Sequence, residues 1–134
     1  MKNIKFRVWC KKLKELKYFT IKDIGLARYL EYVDVHYVWS KDSINTIPLN
    51  DKNPISLCTG LKDINGKEIY EGDIVKNDYN NPDCKVGKVI FDKQFASFGF
   101  KFRKLKRTVM MSGYETEGRY EVIGNIFENK KLLK

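Results

Sequence analysis

The sequence is short of the side chains from which active sites are usually assembled. It has one histidine, His36, and three cysteines, Cys10, Cys58 and Cys84, all far apart. The cysteines are odd in number and none stands in a C-x-x-C pair, so neither a four-ligand zinc site nor a disulfide framework is indicated. Free buried thiols in a reducing cytoplasm are expected instead. Nucleophilic catalysis needs a serine or cysteine beside a positioned base. His36, between Val35 and Tyr37, has no such partner at readable spacing. Nucleophile, base and oxyanion donors cannot be assembled together, so no enzyme, metal or cofactor is expected. Long apolar runs are missing too, and nothing approaches the roughly 20 residues that cross a bilayer. The opening MKNIKFRVWCKK alternates charge with apolar residues and offers no signal-peptide core. The expectation is a soluble cytoplasmic protein with no membrane contact.

What is present points to a small β protein. Hydrophobic residues make up 43 % of the 134 positions, enough for a core in one ordinary domain or two very small ones. Eight tyrosines and eight phenylalanines lean toward strands. Acidic side chains are the minority: 17 against 26 basic ones give a net charge of +9. The excess is +5 over residues 1–50 and +4 over 51–134, so it marks no single half. Its dense runs are Lys2–Lys17 and Lys101–Arg107. Such a balance attracts nucleic acid or another acidic surface, or simply solubilises exposed edges.

Ile4, Phe6 and Val8 alternate with Lys5 and Arg7, the period of a half-buried strand. After a polar break at Lys11–Lys14, Leu16, Tyr18 and Thr20 alternate again, predicting an N-terminal hairpin over a competing helix at 11–17. Asp23–Tyr32 has near-helical apolar spacing and predicts a short helix with Asp23 as its cap. Val33–Trp39 reads as a strand and Lys41–Pro54 as a linker. Beyond it, Ile55–Cys58, Lys67–Tyr70, Ile74–Asn77, Lys85–Phe91, Ser97–Phe102, Val109–Met111 and Tyr120–Ile123 read as short strands. Asn65-Gly66 and Glu71-Gly72-Asp73 supply tight turns. Ser112–Gly118 reads as a loop, and the end as a helical turn. With Gly72, Gly87, Gly99 and Gly124 at the bends, the expected fold is mainly β with minor α: an N-terminal hairpin and helix segment over 1–50, then an SH3-like small barrel over 55–134.

Three motifs carry a family resemblance. The segment TGLKDINGKEIYEGDIVK, Thr59–Lys76, the closing EVIGNIFENKKLL, Glu121–Leu133, and the opening IKFRVW, Ile4–Trp9, together resemble the YopX family of small proteins encoded mainly by phages and prophages of Gram-positive bacteria. Cys10 departs from the pattern, where Asp would follow the tryptophan. The resemblance implies a phage accessory protein, a C-terminal barrel-like domain and oligomerisation. It carries over no catalytic residue. Gly60, Asn65, Gly66, Glu71, Gly72, Asp73, Gly124 and Asn125 are its structural signature.

Two constellations remain. Asp63, Glu68, Glu71 and Asp73 crowd the two turns. They read as a divalent-cation site or as turn chemistry, Asp63 opening a turn and Asp73 accepting amide bonds after Gly72; the turn reading is favoured. The basic run offers Lys101, Arg103, Lys104, Lys106 and Arg107 as nucleic-acid contacts, with Lys101, Arg103 and Arg107 on one strand face and Phe98, Phe100 and Tyr114 as stacking rings. Alternation puts Phe98, Phe100 and Phe102 on one face, which favours core. The functional expectation is a non-enzymatic, self-associating interaction module, with a host or phage protein as a further partner. Its motivation is the aromatic N-terminal set Phe6, Trp9, Tyr18, Phe19, Tyr37 and Trp39. The alternative is nucleic-acid binding of low specificity through Lys101–Arg107.

Overall fold

The computed structural model describes residues 4–29 and 33–134, with side chains outside 26–35. Among these the chain is mainly β with one α-helix. It divides between Leu57 and Cys58 into two compact units.

In the first unit β1 (Lys5–Cys10) and β2 (Glu15–Thr20) form the expected hairpin, its turn closed by Lys14 at φ 52°. The opening residues of β6 (Ile55–Lys62) add to the other side of β1, with Phe6 opposite Leu57. A second sheet runs β3 (Gly25–Tyr29), β4 (Val33–Trp39), β5 (Thr46–Pro48). Val8, Cys10, Phe19, Val38 and Ile47 form the core of this unit. Phe6 stacks on Phe19 at 5.5 Å. In β2, therefore, Phe19 faces inward while Tyr18 stays 47 % exposed, so the aromatic residues of the hairpin divide between core and surface.

Two expectations fail here. The helix read over Asp23–Tyr32 is a 3-10 turn, Ile21–Asp23, followed by strand β3; residues 30–32 of that reading lie outside those described. The Asp23 carboxylate caps nothing longer than this turn, accepting the Thr20 amide at 2.7 Å. Pairing of Gly25 with Tyr37 and its neighbours along β4 outweighs a helical spacing of few residues. The stretch 41–54 contains β5, whose Ile47 is fully buried, and Asn53 holds the following loop by accepting from the Lys11 amide and donating to the Pro48 carbonyl.

In the second unit the later residues of β6 pair with β7 (Glu68–Tyr70). A five-stranded antiparallel sheet follows, ordered β11-β10-β9-β8-β12 and curled into a half-barrel. Its strands are β8 (Asp73–Asn77), β9 (Val86–Asp92), β10 (Ser97–Phe102), β11 (Val109–Met110) and β12 (Tyr120–Asn125). Ile69, Val75, Val89, Phe100, Phe102 and Tyr120 form the core. The Phe100 and Tyr120 rings stack at 4.0 Å and 5°. Gly87 lies under Phe102, where a Cβ would come within 2.8 Å of the ring. The stretch read as a loop at Ser112–Gly118 holds helix α1 (Gly113–Arg119), which buries Thr116 completely. Seven residues with a glycine near each end carry no readable period.

Gly72 has φ 88°, a conformation that costs an L-residue about 1–2 kcal/mol. Gly72→Ala is expected to lower the melting temperature by roughly 4–8 °C for each kcal/mol lost. An unchanged melting temperature would remove the architectural role given to this turn. Burial, with Tyr79 and Glu115 nearby, pushes the Tyr120 phenol from 10.0 up to about 12. The neutral ring is the form that the fold favours, so its contribution is complete below pH 10 and disappears as pH rises through about 12. Tyrosinate absorbance should show a late ionisation coincident with unfolding, and Tyr120→Phe should reduce its amplitude. Full ionisation near pH 10 in the folded protein would contradict the burial argument.

Candidate functional site

The acidic cluster resolves into individual backbone contacts. Asp63, 4 % exposed, closes the β6–β7 turn: its Oδ1 accepts the amides of Asn65 and Lys67, both at 2.9 Å. Gly66 supplies the positive φ of that turn at 81°; Asn65, also expected to tolerate positive φ, does not use it. The other oxygen, Oδ2, accepts the Val122 amide at 2.9 Å, and the Ile64 amide donates to the Tyr120 carbonyl at 2.8 Å. Asp63 and Ile64 thus satisfy the outward groups of edge strand β12, which would otherwise offer a pairing template. Asp73, 2 % exposed, accepts the Tyr70 amide at 2.8 Å, reaching back across the turn. Glu68 and Glu71 are half-buried. Asp63 and Asp73 therefore hold backbone.

The remaining signature residues extend the same clasp. Gly60, at φ 83°, makes the bulge where β6 and β7 change register. The Gly72 amide donates to Val89 and its carbonyl accepts from Ile126, both at 2.9 Å. Asn125 accepts the Phe127 and Glu128 amides, and Asn129 accepts the Asn125 amide. Gly124 lies against Asn129, leaving no room for a Cβ.

The basic run does not lie on one strand face. Only Lys101 and Phe102 belong to β10; residues 103–107 turn away before β11. Arg103 and Lys104 line one surface, with Lys104 paired to Asp83 at 2.6 Å, and Arg103 shares a further small depression with Lys101. Lys101, Lys106 and Arg107 line another, a groove of about 750 Å³ shared with Phe95 and Met110. Lys101 donates to the Lys106 carbonyl at 2.7 Å and so fixes that loop. Asp92 also lines the groove. Its carboxyl is held below the usual range by the Thr108 hydroxyl, against a smaller upward push from burial, with the Gln94 and Phe95 amides and Lys101 adding to the lowering. Phe100 and Phe102 are core, as alternation suggested, while Tyr114 is 93 % exposed on α1. Phe95, 61 % exposed, was not legible as a groove residue, because Asp92–Ala96 reads only as a connection between strands. His36 is exposed on β4. Cys10 is buried, whereas Cys58 and Cys84 are half-buried, less covered than expected.

Among the described residues no cluster of three or more His, Cys, Asp or Glu side chains is placed to hold a metal, and no helix is long and apolar enough to cross a membrane. The clasp and the half-barrel it closes define a small, non-repeating β protein whose most distinctive residues hold backbone. The family model described as YopX protein matches residues 5–134, and the chain belongs to the YopX family. It is similar to the crystal structure of protein EF1440 from Enterococcus faecalis, with TM-score 0.60 and 26 % identity over 98 % of each chain. It is also similar in fold to protein yopX from Bacillus subtilis, with TM-score 0.58 and 22 % identity over 99 % of this chain and 100 % of that one. No curated protein matches.

Asp63→Ala leaves the Val122, Asn65 and Lys67 amides without their acceptor and is expected to cost about 2–3 kcal/mol. Calcium or magnesium should leave the melting temperature of the wild type unchanged. A cation-dependent rise that Asp63→Ala abolishes would show the cluster to be a metal site.

Proposed function

We propose that the chain is a non-enzymatic interaction module that self-associates through the outward face of the β3–β4–β5 sheet. The observation that supports this is the placement of Trp39. Side chains alternate along a strand, and Val38 enters the core fully buried, so Tyr37 and Trp39 leave on the opposite face. Trp39 remains 47 % exposed, edge-on to Tyr37 at 5.7 Å. The Tyr37 ring covers Gly25, where a Cβ would approach it to 2.5 Å, and Tyr37 pairs across β4–β5 with Pro48. The glycine leaves room for the Tyr37 ring to lie over β3, beside the exposed Trp39 of the same strand β4. Tryptophan and tyrosine carry much of the energy of protein interfaces, and a second copy offers the same face for a two-fold contact. The setting, an accessory protein of phage or prophage in the host cytoplasm, rests on membership of the family.

Light scattering should give a solution mass that is a multiple of 15.8 kDa. Trp39→Lys should reduce it to the monomer with an unchanged circular dichroism spectrum. A monomeric wild type at high concentration would overturn self-association. An oligomer indifferent to Trp39→Lys would move the contact elsewhere and overturn this face as its seat.

A further inference from the structure

The β9–β10 turn carries Phe95 at 61 % exposure, an unusual place for an apolar ring. It lines a groove together with Lys101 of β10 and with Lys106 and Arg107 of the loop that follows that strand. Lys106 and Arg107 are exposed, while Lys101 keeps two of its three donors after bonding the Lys106 carbonyl. Asp92, the groove's carboxylate, is engaged by Thr108 and the Gln94 amide and lies beside Lys101, so the lining is net positive. The volume, about 750 Å³, falls within the range of roughly 300–1,000 Å³ that ligand sites occupy.

We infer that this groove binds single-stranded nucleic acid, with a base stacked on Phe95 and phosphates paired to Lys106 and Arg107. A phenyl ring beside cations is the pairing that single strands use, because unpaired bases expose a π-face and the backbone supplies regular charge. A duplex hides its bases and has nothing to place on Phe95. An acidic peptide would use the cations without the ring's selectivity for flat bases. The site differs from the stretch read in the sequence: Arg103 and Lys104 line another surface and take no part.

The test is a fluorescence anisotropy titration of labelled oligothymidine, with polyphosphate and an oligo-glutamate peptide as competitors, at two salt concentrations. Phe95→Ala should weaken oligothymidine binding about 10-fold and leave polyphosphate binding unchanged. The double variant Lys106→Ala/Arg107→Ala should weaken both and reduce the salt slope by about 1.4. Arg103→Ala/Lys104→Ala should have at most half that effect on the slope. Equal loss from the two double variants, with Phe95→Ala silent, would reduce the binding to net charge and overturn the site. Preference for oligo-glutamate over oligothymidine would assign the groove to an acidic protein instead. Absence of binding at low salt would overturn the inference outright.

Discussion

One buried carboxylate organises the C-terminal unit. Asp63 accepts three amides: two close the β6–β7 turn, and the third, 59 residues along the chain from Asp63, belongs to β12. Charge-assisted bonds of this kind are stronger than neutral ones. Here they convert a local turn into a tertiary link. The Ile64 amide completes the link on the Tyr120 carbonyl, one pleat away along the same edge. The register shift between Val122 and Gly124 follows directly after the residue that Asp63 holds. Tyr120, positioned by this edge, then stacks on Phe100 at the centre of the core.

This explains why a stretch rich in carboxylates carries no visible chemistry. Within that stretch Asp63 and Asp73 hold backbone amides. Gly72 and Asn125 do the same work by other means, one by a left-handed backbone, the other by capping the turn after β12. In this chain the turn residues of the stretch therefore set the path of the backbone. Function has to be sought where the clasp leaves side chains uncommitted, on the Tyr37–Trp39 face and around Phe95.

Much of this was legible in the sequence, for physical reasons that differ by element. The hairpin and the strands of the half-barrel announce themselves by period two and by glycine at turns. The turn roles of Asp63 and Gly72 follow from what those residue types do best. Residues 23–29 misled because apolar spacing over so few positions cannot separate helix from strand, and pairing with β4 decided it. Helix α1 was missed because its burial rests on Thr116, a polar residue that no hydrophobic pattern marks. The basic run was visible as charge, but its spread over more than one surface depends on where β10 ends, which composition does not reveal. Phe95 lay in a turn, where an aromatic residue gives no periodic signal.

The claim that Asp63 joins the turn to β12 can be read directly by native-state hydrogen exchange. If the carboxylate holds both, the amides of Asn65, Lys67 and Val122 exchange together, at the rate set by unfolding of the whole unit. A Val122 amide that exchanges freely while Lys67 stays protected would show the two ends to be independent, and the clasp would not exist.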